Sequence, residues 1–430
     1  MTQASNNSDS VPQPREKLIV LLIAAIQFIN ILEFMIVMPL GPDFAVALDI
    51  PLHNLGIIAG SYTLAGAVTG IIGSFFLDRF DRRKALAVAM FGLVCGTALG
   101  GFAFNLESLL AARIVAGAFG GPATSLALAV ISDVIPVSRR GRAMATVMTA
   151  FAVASIFGVP LALELSHAFD WRMPFFAVAL MGVAVSACAL WFLPPMKHHF
   201  AAVASNAKTP IWVSFGQPLP LLAFSGMACM MISAFLLIPN IPGYLVFNLH
   251  YRGEPWLGNC LGSLGIDYRP SALGPLYLFG GIASLLLMQL VGRWTDRVGS
   301  SAMSWAGALT MIFVVYFGFI DYQPWLPVLA LFIGFMASGS LRGVPSRTLD
   351  TRIPMAHERA GFMSAQSAVQ HISLAVAAIA SSFLLSERPD KSLVGMELVG
   401  WLSIAFALAL PFCVMAIERG LKRRDAPATA

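Results

Sequence analysis

The sequence predicts an all-α integral membrane protein, with twelve transmembrane helices in two six-helix bundles related by pseudo-two-fold symmetry. Three observations carry this reading. Of 430 residues, 58% are hydrophobic and 11% charged, with a mean hydropathy of +0.78, whereas a soluble domain is about a quarter charged. Twelve apolar runs each approach the roughly 20 residues that cross a hydrocarbon core of about 30 Å as a helix. Finally, the two halves repeat. LEFMIVMPLGP aligns with ISAFLLIPNIP, Pro39 with Pro239 and Pro42 with Pro242; Asp78-Arg79 recurs as Asp296-Arg297; and RRGRAM from Arg139 aligns with ERAGFM from Glu358.

Taken in order, the apolar runs cover 18–40, 55–76, 85–104, 107–131, 143–165 and 173–193, then 218–240, 273–291, 302–320, 325–341, 361–385 and 395–417. The first follows a polar tail and has no small-residue cleavage site, so it is expected to stay as a helix. Residues 1–17 and 418–430 form tails, 18–193 and 218–417 the two bundles, and 194–217 a polar linker with Pro194, Pro195, Lys197, His198, His199, Lys208 and Pro210. Two adjacent histidines do not complete a metal site. Alternate connections collect 21 Lys and Arg on the side holding both termini and five on the other, with Arg113 inside helix four. This bias puts both termini in the cytoplasm and explains the basic balance without nucleic acid. The offset between the halves grows from 200 at Pro242 to 218 at Asp296, so about eighteen extra residues entered the second half, mostly in an external loop at 248–272. Its Tyr251, Trp256 and Leu257 give it apolar surface to dock as a partial lid, the plain alternative being a tolerated surface insertion. Cys95, Cys188, Cys229, Cys260 and Cys413 show no paired spacing, so no disulfide framework or zinc site is implied; Cys260 is the one expected to be reachable from outside.

With these motifs in hand, the chain resembles the major facilitator superfamily over nearly its whole length. Of that family's G-x-x-x-D-R-x-G-R-R/K loop between helices two and three, Asp78, Arg79, Arg82 and Arg83 match, while Ser74 and Asp81 stand where the glycines would be. The second copy keeps Gly292, Asp296, Arg297 and Gly299. RIVAGAFGGP resembles the R-x-x-x-G element through Arg113 and Gly117. FGVPLA, with Gly158 and Pro160, is similar to the G-P-x-x-G motif of the antiporter branch, with Val159 intervening and Ala162 in place of glycine. The texture resembles bacterial drug and sugar efflux permeases. The resemblance implies that Asp78 sits against the start of helix eleven near Glu358 to Gly361. By the repeat, Asp296 sits at the start of helix five near Arg140 to Arg142. Arg142 and Arg359 would then complete two latches closing one side of the carrier.

Several polar residues lie inside the apolar runs. Glu33 and Arg113 reach similar depths in helices one and four and can meet; intramembrane ionisable groups usually mark ion or substrate pathways, and the plain alternative is a fixed salt bridge. Gln27, Asn30 and Glu33 recur every three residues, a stripe over about 120° of one helix face that would face a cavity rather than lipid. Gln366, Gln370 and His371 repeat the pattern on helix eleven, with His371 able to titrate near neutral pH. Tyr62, Asn240 and Gln289 are weaker cavity candidates, since single polar groups often serve as packing contacts between helices. Glu164 and Asp170-Trp171-Arg172 read as interfacial anchors and a local ion pair.

The expected function is secondary transport of a small apolar or amphipathic solute by alternating access, as efflux by proton antiport, in a bacterial inner membrane. The carrier would act as a monomer, with membrane lipid, substrate and protons as its partners and without a cofactor or metal. A uniporter or a proton symporter for a neutral solute such as a sugar shares every feature except the titrating step. A transporter-like sensor would lack flux. No GxxxxGK[ST] loop serves ATP, and no nucleophile-base pair or metal cluster suggests an enzyme.

Overall fold

A computed structural model describes residues 14–77, 80–193, 216–263, 270–354 and 359–425. Asp78, Arg79, Glu358 and most of the 194–217 linker lie outside the described residues, as does the side chain of Arg359. The described chain contains twelve helices long and apolar enough to cross a membrane. They are α1 (Pro14–Ile36), α2 (Leu55–Phe76), α3 (Arg82–Gly101), α4 (Leu106–Val134), α5 (Val137–Val153 continuing through Val159–Ala168) and α6 (Met173–Phe192). The second set is α7 (Pro218–Phe235), α8 (Gly274–Val298), α9 (Ser300–Val315), α10 (Val328–Asp350), α11 (Arg359–Leu384) and α12 (Met396–Asp425). The fold is thus an all-α, twelve-helix membrane bundle.

Local chemistry sets several boundaries. Asn105 and Ser108 form a reciprocal capping box that starts α4. Asp81, one of the two residues standing in for a motif glycine, caps α3 by accepting from the Arg83 backbone N–H at 2.9 Å. Gly299, at φ +95°, turns the chain sharply between α8 and α9, in a region that an L side chain rarely enters. Within α5, Pro160 has no N–H to give. The preceding turn widens over Ala154–Gly158, and the Val159 N–H reaches the Ala154 carbonyl five residues back.

The structure differs from the sequence reading in four places. Helix one ends at Ile36 and helix seven at Phe235, and after each the chain turns, then resumes in a short helix beginning at Gly41 or Ile241. Pro42 and Pro242 sit in the first turns of those short helices, where a missing N–H costs nothing. Helix ten runs on to Asp350, so Arg342, counted above with the connecting loops, lies inside α10 and is 1% exposed. Trp171 is buried against Phe44 and Phe175 instead of anchoring at an interface, while Asp170 and Arg172 pair at 3.6 Å. The inserted loop carries a helix, Pro255–Ser263, with Trp256 against Phe279 of α8 at 5.8 Å between ring centroids. Burial, and a hydrogen bond donated to Glu254, push the Tyr251 hydroxyl well above its ordinary range.

Glycines show how the halves meet. On the side opposite the termini, a Cβ on Gly56 or Gly60 of α2 would lie 2.0 Å from the Ala378 carbonyl oxygen or 2.6 Å from Ile379 Cγ1 of α11. A Cβ on Gly281 of α8 would lie 2.9 Å from Ile156 Cγ1 of α5. On the termini side, Gly70 of α2, Gly141 of α5 and Gly292 of α8 face open space. The same helices therefore touch on the far side and separate toward the termini.

Within the first bundle, Gly117 of α4 packs on the Tyr62 backbone, with a Cβ placed there only 2.1 Å from its carbonyl oxygen. Gly117→Ala is therefore expected to force α2 from α4 and cost about 1–3 kcal/mol, as overpacking does. Gly70→Ala, in open space, is the control. Thermal unfolding in detergent should show a lower midpoint for the first variant alone.

Candidate functional site

The first bundle assembles a buried polar cluster from α1, α2 and α4. Glu33 and Arg113, each 1% exposed, are joined by a hydrogen bond from Arg113 Nη1 to Glu33 Oε1. The guanidinium lies over the Tyr62 ring, 4.4 Å from its centroid. The Tyr62 hydroxyl donates to Asn30 Oδ1 at 2.6 Å, and Asn30 Nδ2 donates to the Gly120 carbonyl at 2.9 Å and to Thr124 Oγ1. Because that hydroxyl has one proton, Glu33 Oε2 is left buried without a hydrogen-bond donor, although Tyr62 is close enough to interact with the carboxylate. Arg113 Nε and Nη2 are also buried without acceptors. An arrangement of this kind can hold a proton on the carboxyl or offer two N–H donors to an arriving oxygen.

Phe34, beside Glu33 on α1, contacts Tyr62 and also Phe235 of α7, at 5.6 and 6.2 Å between ring centroids. Met38, Ala59 and Ala378 form a small apolar core here with Phe34, Phe235 and Ile238. This junction joins the bundles next to the charge pair.

Other predicted residues are spread more widely. Gln27 is 3% exposed, so in this conformation the whole α1 stripe is buried among its neighbours. Gln366 donates to Asp350, a buried carboxylate at the end of α10 that the sequence reading did not single out. His371 Nδ1 lies 2.8 Å from the Ser367 carbonyl on its own helix, Gln370 is half-buried, and Gln289 is exposed. Asn240 donates to Ser381 Oγ at 3.0 Å, tying the end of helix seven to α11. Gly158 packs on Leu32 of α1, where a Cβ would meet Leu32 Cδ1 at 2.7 Å, with half-buried Pro160 just beyond.

At the start of α3, Arg82 pairs with Asp133 near the end of α4, and Arg83 donates to the Leu190 carbonyl of α6. Both contacts fasten this end of α3 within its own bundle. The Asp78 latch lies outside the described residues. Asp296 and Arg297 are exposed, as is Arg142. Asp296 lines a cleft of ≈ 310 Å³ with Thr348, Arg352, Glu418 and Lys422, so in this termini-side-open state it faces the ends of α10 and α12 instead of the start of α5.

Arg342 of α10 is a second buried cation. It donates to Ser233 Oγ at 3.0 Å, to the Ser338 carbonyl at 3.3 Å and to Met311 Sδ at 3.6 Å, with no ion pair among the described residues. In sequence it reads with its neighbours Arg347 and Arg352 as part of a charged connection.

Twelve spanning helices that touch on one side and part on the other around a buried charge pair are an arrangement suited to alternating access. The Major Facilitator Superfamily model matches residues 23–378, and the chain belongs to that family. Curated relatives include the inner membrane transport protein YdhP of Escherichia coli (strain K12), 30% identical over 159 residues, which are 36% of this chain and 41% of YdhP. The MFS-type transporter YtbD of Bacillus subtilis (strain 168) is 27% identical over 142 residues, 33% of this chain and 36% of YtbD. The match thus spans less than half of each relative. Among solved structures, a bacterial homolog of the human lysosomal transporter Spinster, inward-facing and occupied, superimposes with a TM-score of 0.71, 16% identity and coverage of 97% of this chain and 100% of that one. The nucleoside transporter NupG gives 0.68 at 14% identity, covering 93% and 99%, and the D-xylose-proton symporter 0.67 at 15%, covering 93% and 97%. At these identities the likeness establishes the fold.

Proposed function

We propose that the chain is a secondary active carrier that exports a small apolar or amphipathic solute by proton antiport, working as a monomer in a bacterial inner membrane with both termini in the cytoplasm. The observation that carries this reading is the buried Glu33–Arg113 pair with its open Glu33 Oε2 and Arg113 Nε and Nη2. With Glu33 ionised, the pair holds the guanidinium so that its Nε and Nη2 N–H groups can donate to an oxygen of the solute. Protonating Glu33 removes the charge that holds Arg113 and releases the solute. Proton and solute then compete for one site, and the switching of access carries them in opposite directions. The apolar junction at Phe34 and Phe235 suits a solute with a hydrophobic body.

The resemblance to a proton symporter in fold supports a second reading, cotransport of a neutral solute through the same pair. Proteoliposomes with an imposed proton gradient and an internal pH-sensitive dye distinguish the two. A gradient-driven screen of amphipathic dyes and sugars should give solute movement opposite to the proton for antiport. Movement in the same direction selects the symporter, and flux indifferent to the gradient removes proton coupling.

A further inference from the structure

The far-side seam is closed by backbone N–H groups at the starts of two helices. The first turns of an α-helix leave N–H donors without intrahelical partners. Here those donors, and the one just ahead of a helix, reach acceptors on the opposite bundle. In the 3-10 turn Leu52–Asn54 that leads into α2, the Leu52 N–H donates to Glu387 Oε2 on the hairpin of β1 (Ser386–Glu387) and β2 (Leu393–Val394), and in the first turn of α2 the Ile57 N–H donates to Ser382 Oγ at 2.9 Å. Just before α8, Ser271 donates to Glu164 Oε1 near the end of α5, through its backbone N–H at 2.9 Å and its Oγ at 3.0 Å. Ser271 Oγ in turn accepts from the Gly274 N–H at 3.1 Å, so the chain from Glu164 reaches the first residue of α8.

The two contacts fall at corresponding places in the two halves: α8 repeats α2 and α11 repeats α5, and a carboxylate in the last turns of α5 (Glu164) or just past α11 (Glu387) lies against the start of the facing helix. The hairpin is held for this role. Asn248 exchanges both hydrogen bonds with the Leu393 backbone at 2.9 Å, Lys391 lies 3.9 Å from Glu387 and 3.8 Å from Asp49 across the seam, and Gly395 turns at φ +98° where the hairpin meets α12.

We propose that Glu164 and Glu387 are a matched pair of latches that cap the starts of α8 and α2 from the opposite bundle and so hold the far side shut in the termini-side-open state. Opening the far side breaks both caps at once. Closing it restores both without moving a proton or binding solute. The latches set the resting balance between the two access states, and they do so through acceptor oxygens, so charge on the side chain is not required.

The inference rests on the alternating-access reading but not on the solute or the coupling ion, and the test measures neither. Spin labels at Val46→Cys and Arg388→Cys, both exposed and on opposite bundles, are introduced with the five native cysteines replaced. Pulsed electron-spin distance measurements then follow the far-side gap in detergent. Each Glu→Ala leaves N–H donors at the seam without their acceptor, a cost of about 1–3 kcal/mol, so each is expected to raise the open-to-closed ratio at least about fivefold, with the double variant exceeding either single one. Glu164→Gln and Glu387→Gln keep an acceptor oxygen and should stay within about threefold of the parent. A distance distribution unchanged by the alanines overturns the latch. Glutamines that open the gap as far as the alanines overturn capping in favour of charge. Should the double alanine variant fail to fold, the single alanine and glutamine arms decide the matter by the same criteria.

Discussion

Glu33→Gln is expected to abolish solute accumulation driven by a proton gradient while solute exchange across the membrane persists. Glutamine keeps the length of the side chain and one acceptor for Arg113 Nη1, but it cannot take up and release a proton. Coupling between two sites is typically worth about 5–150-fold in affinity, and the variant should lose that factor entirely. The Tyr62 hydroxyl already donates to Asn30 at 2.6 Å and needs no rearrangement when the carboxylate becomes an amide. Binding measured across a pH series should thus flatten in Glu33→Gln while the affinity itself survives. Uphill transport retained by this variant would place proton coupling elsewhere, with His371 and Asp350 the next groups to replace.

The second large effect concerns stability. Arg113→Met leaves Glu33 buried at 1% exposure with no cation, and removing one partner of a buried pair costs about 3–5 kcal/mol. Replacing both residues, as Glu33→Leu with Arg113→Met, removes the stranded charge and should recover most of that loss, since apolar groups of similar volume often substitute for a buried pair at little cost. Unfolding midpoints in detergent give the comparison, and the double variant should be the more stable but inactive in gradient-driven transport. Equal midpoints for the single and double variants would mean that the two side chains do not interact in the folded protein, and the coupling scheme built on their contact would fall with them.

Sequence alone determined the membrane class, the number of spans and the repeat, because each rests on composition along a helix: about 20 apolar residues make a span wherever they occur, and proline and Asp-Arg positions keep their offsets. It also brought Glu33 and Arg113 to one depth, since rise per residue is fixed once a helix starts. Where the helices end was less legible. The charged run around Arg342 and Arg347 resembles a loop in composition, and only packing against Ser233 and Met311 supplies the neutral acceptors that let Arg342 sit inside α10. Tyr62 ranked low in the sequence because a single polar group on a helix has no stated partner; the Gly117 notch that brings α4 onto α2 puts it under the guanidinium.

The seam between the bundles was decided by tertiary structure entirely. Glu164, read from sequence as a surface anchor, gains its partner from Ser271, 107 residues away, and Glu387 meets Leu52 across 335 residues. No local pattern records such pairs, because backbone donors carry no sequence signature and their acceptors are set by how two independent six-helix units dock.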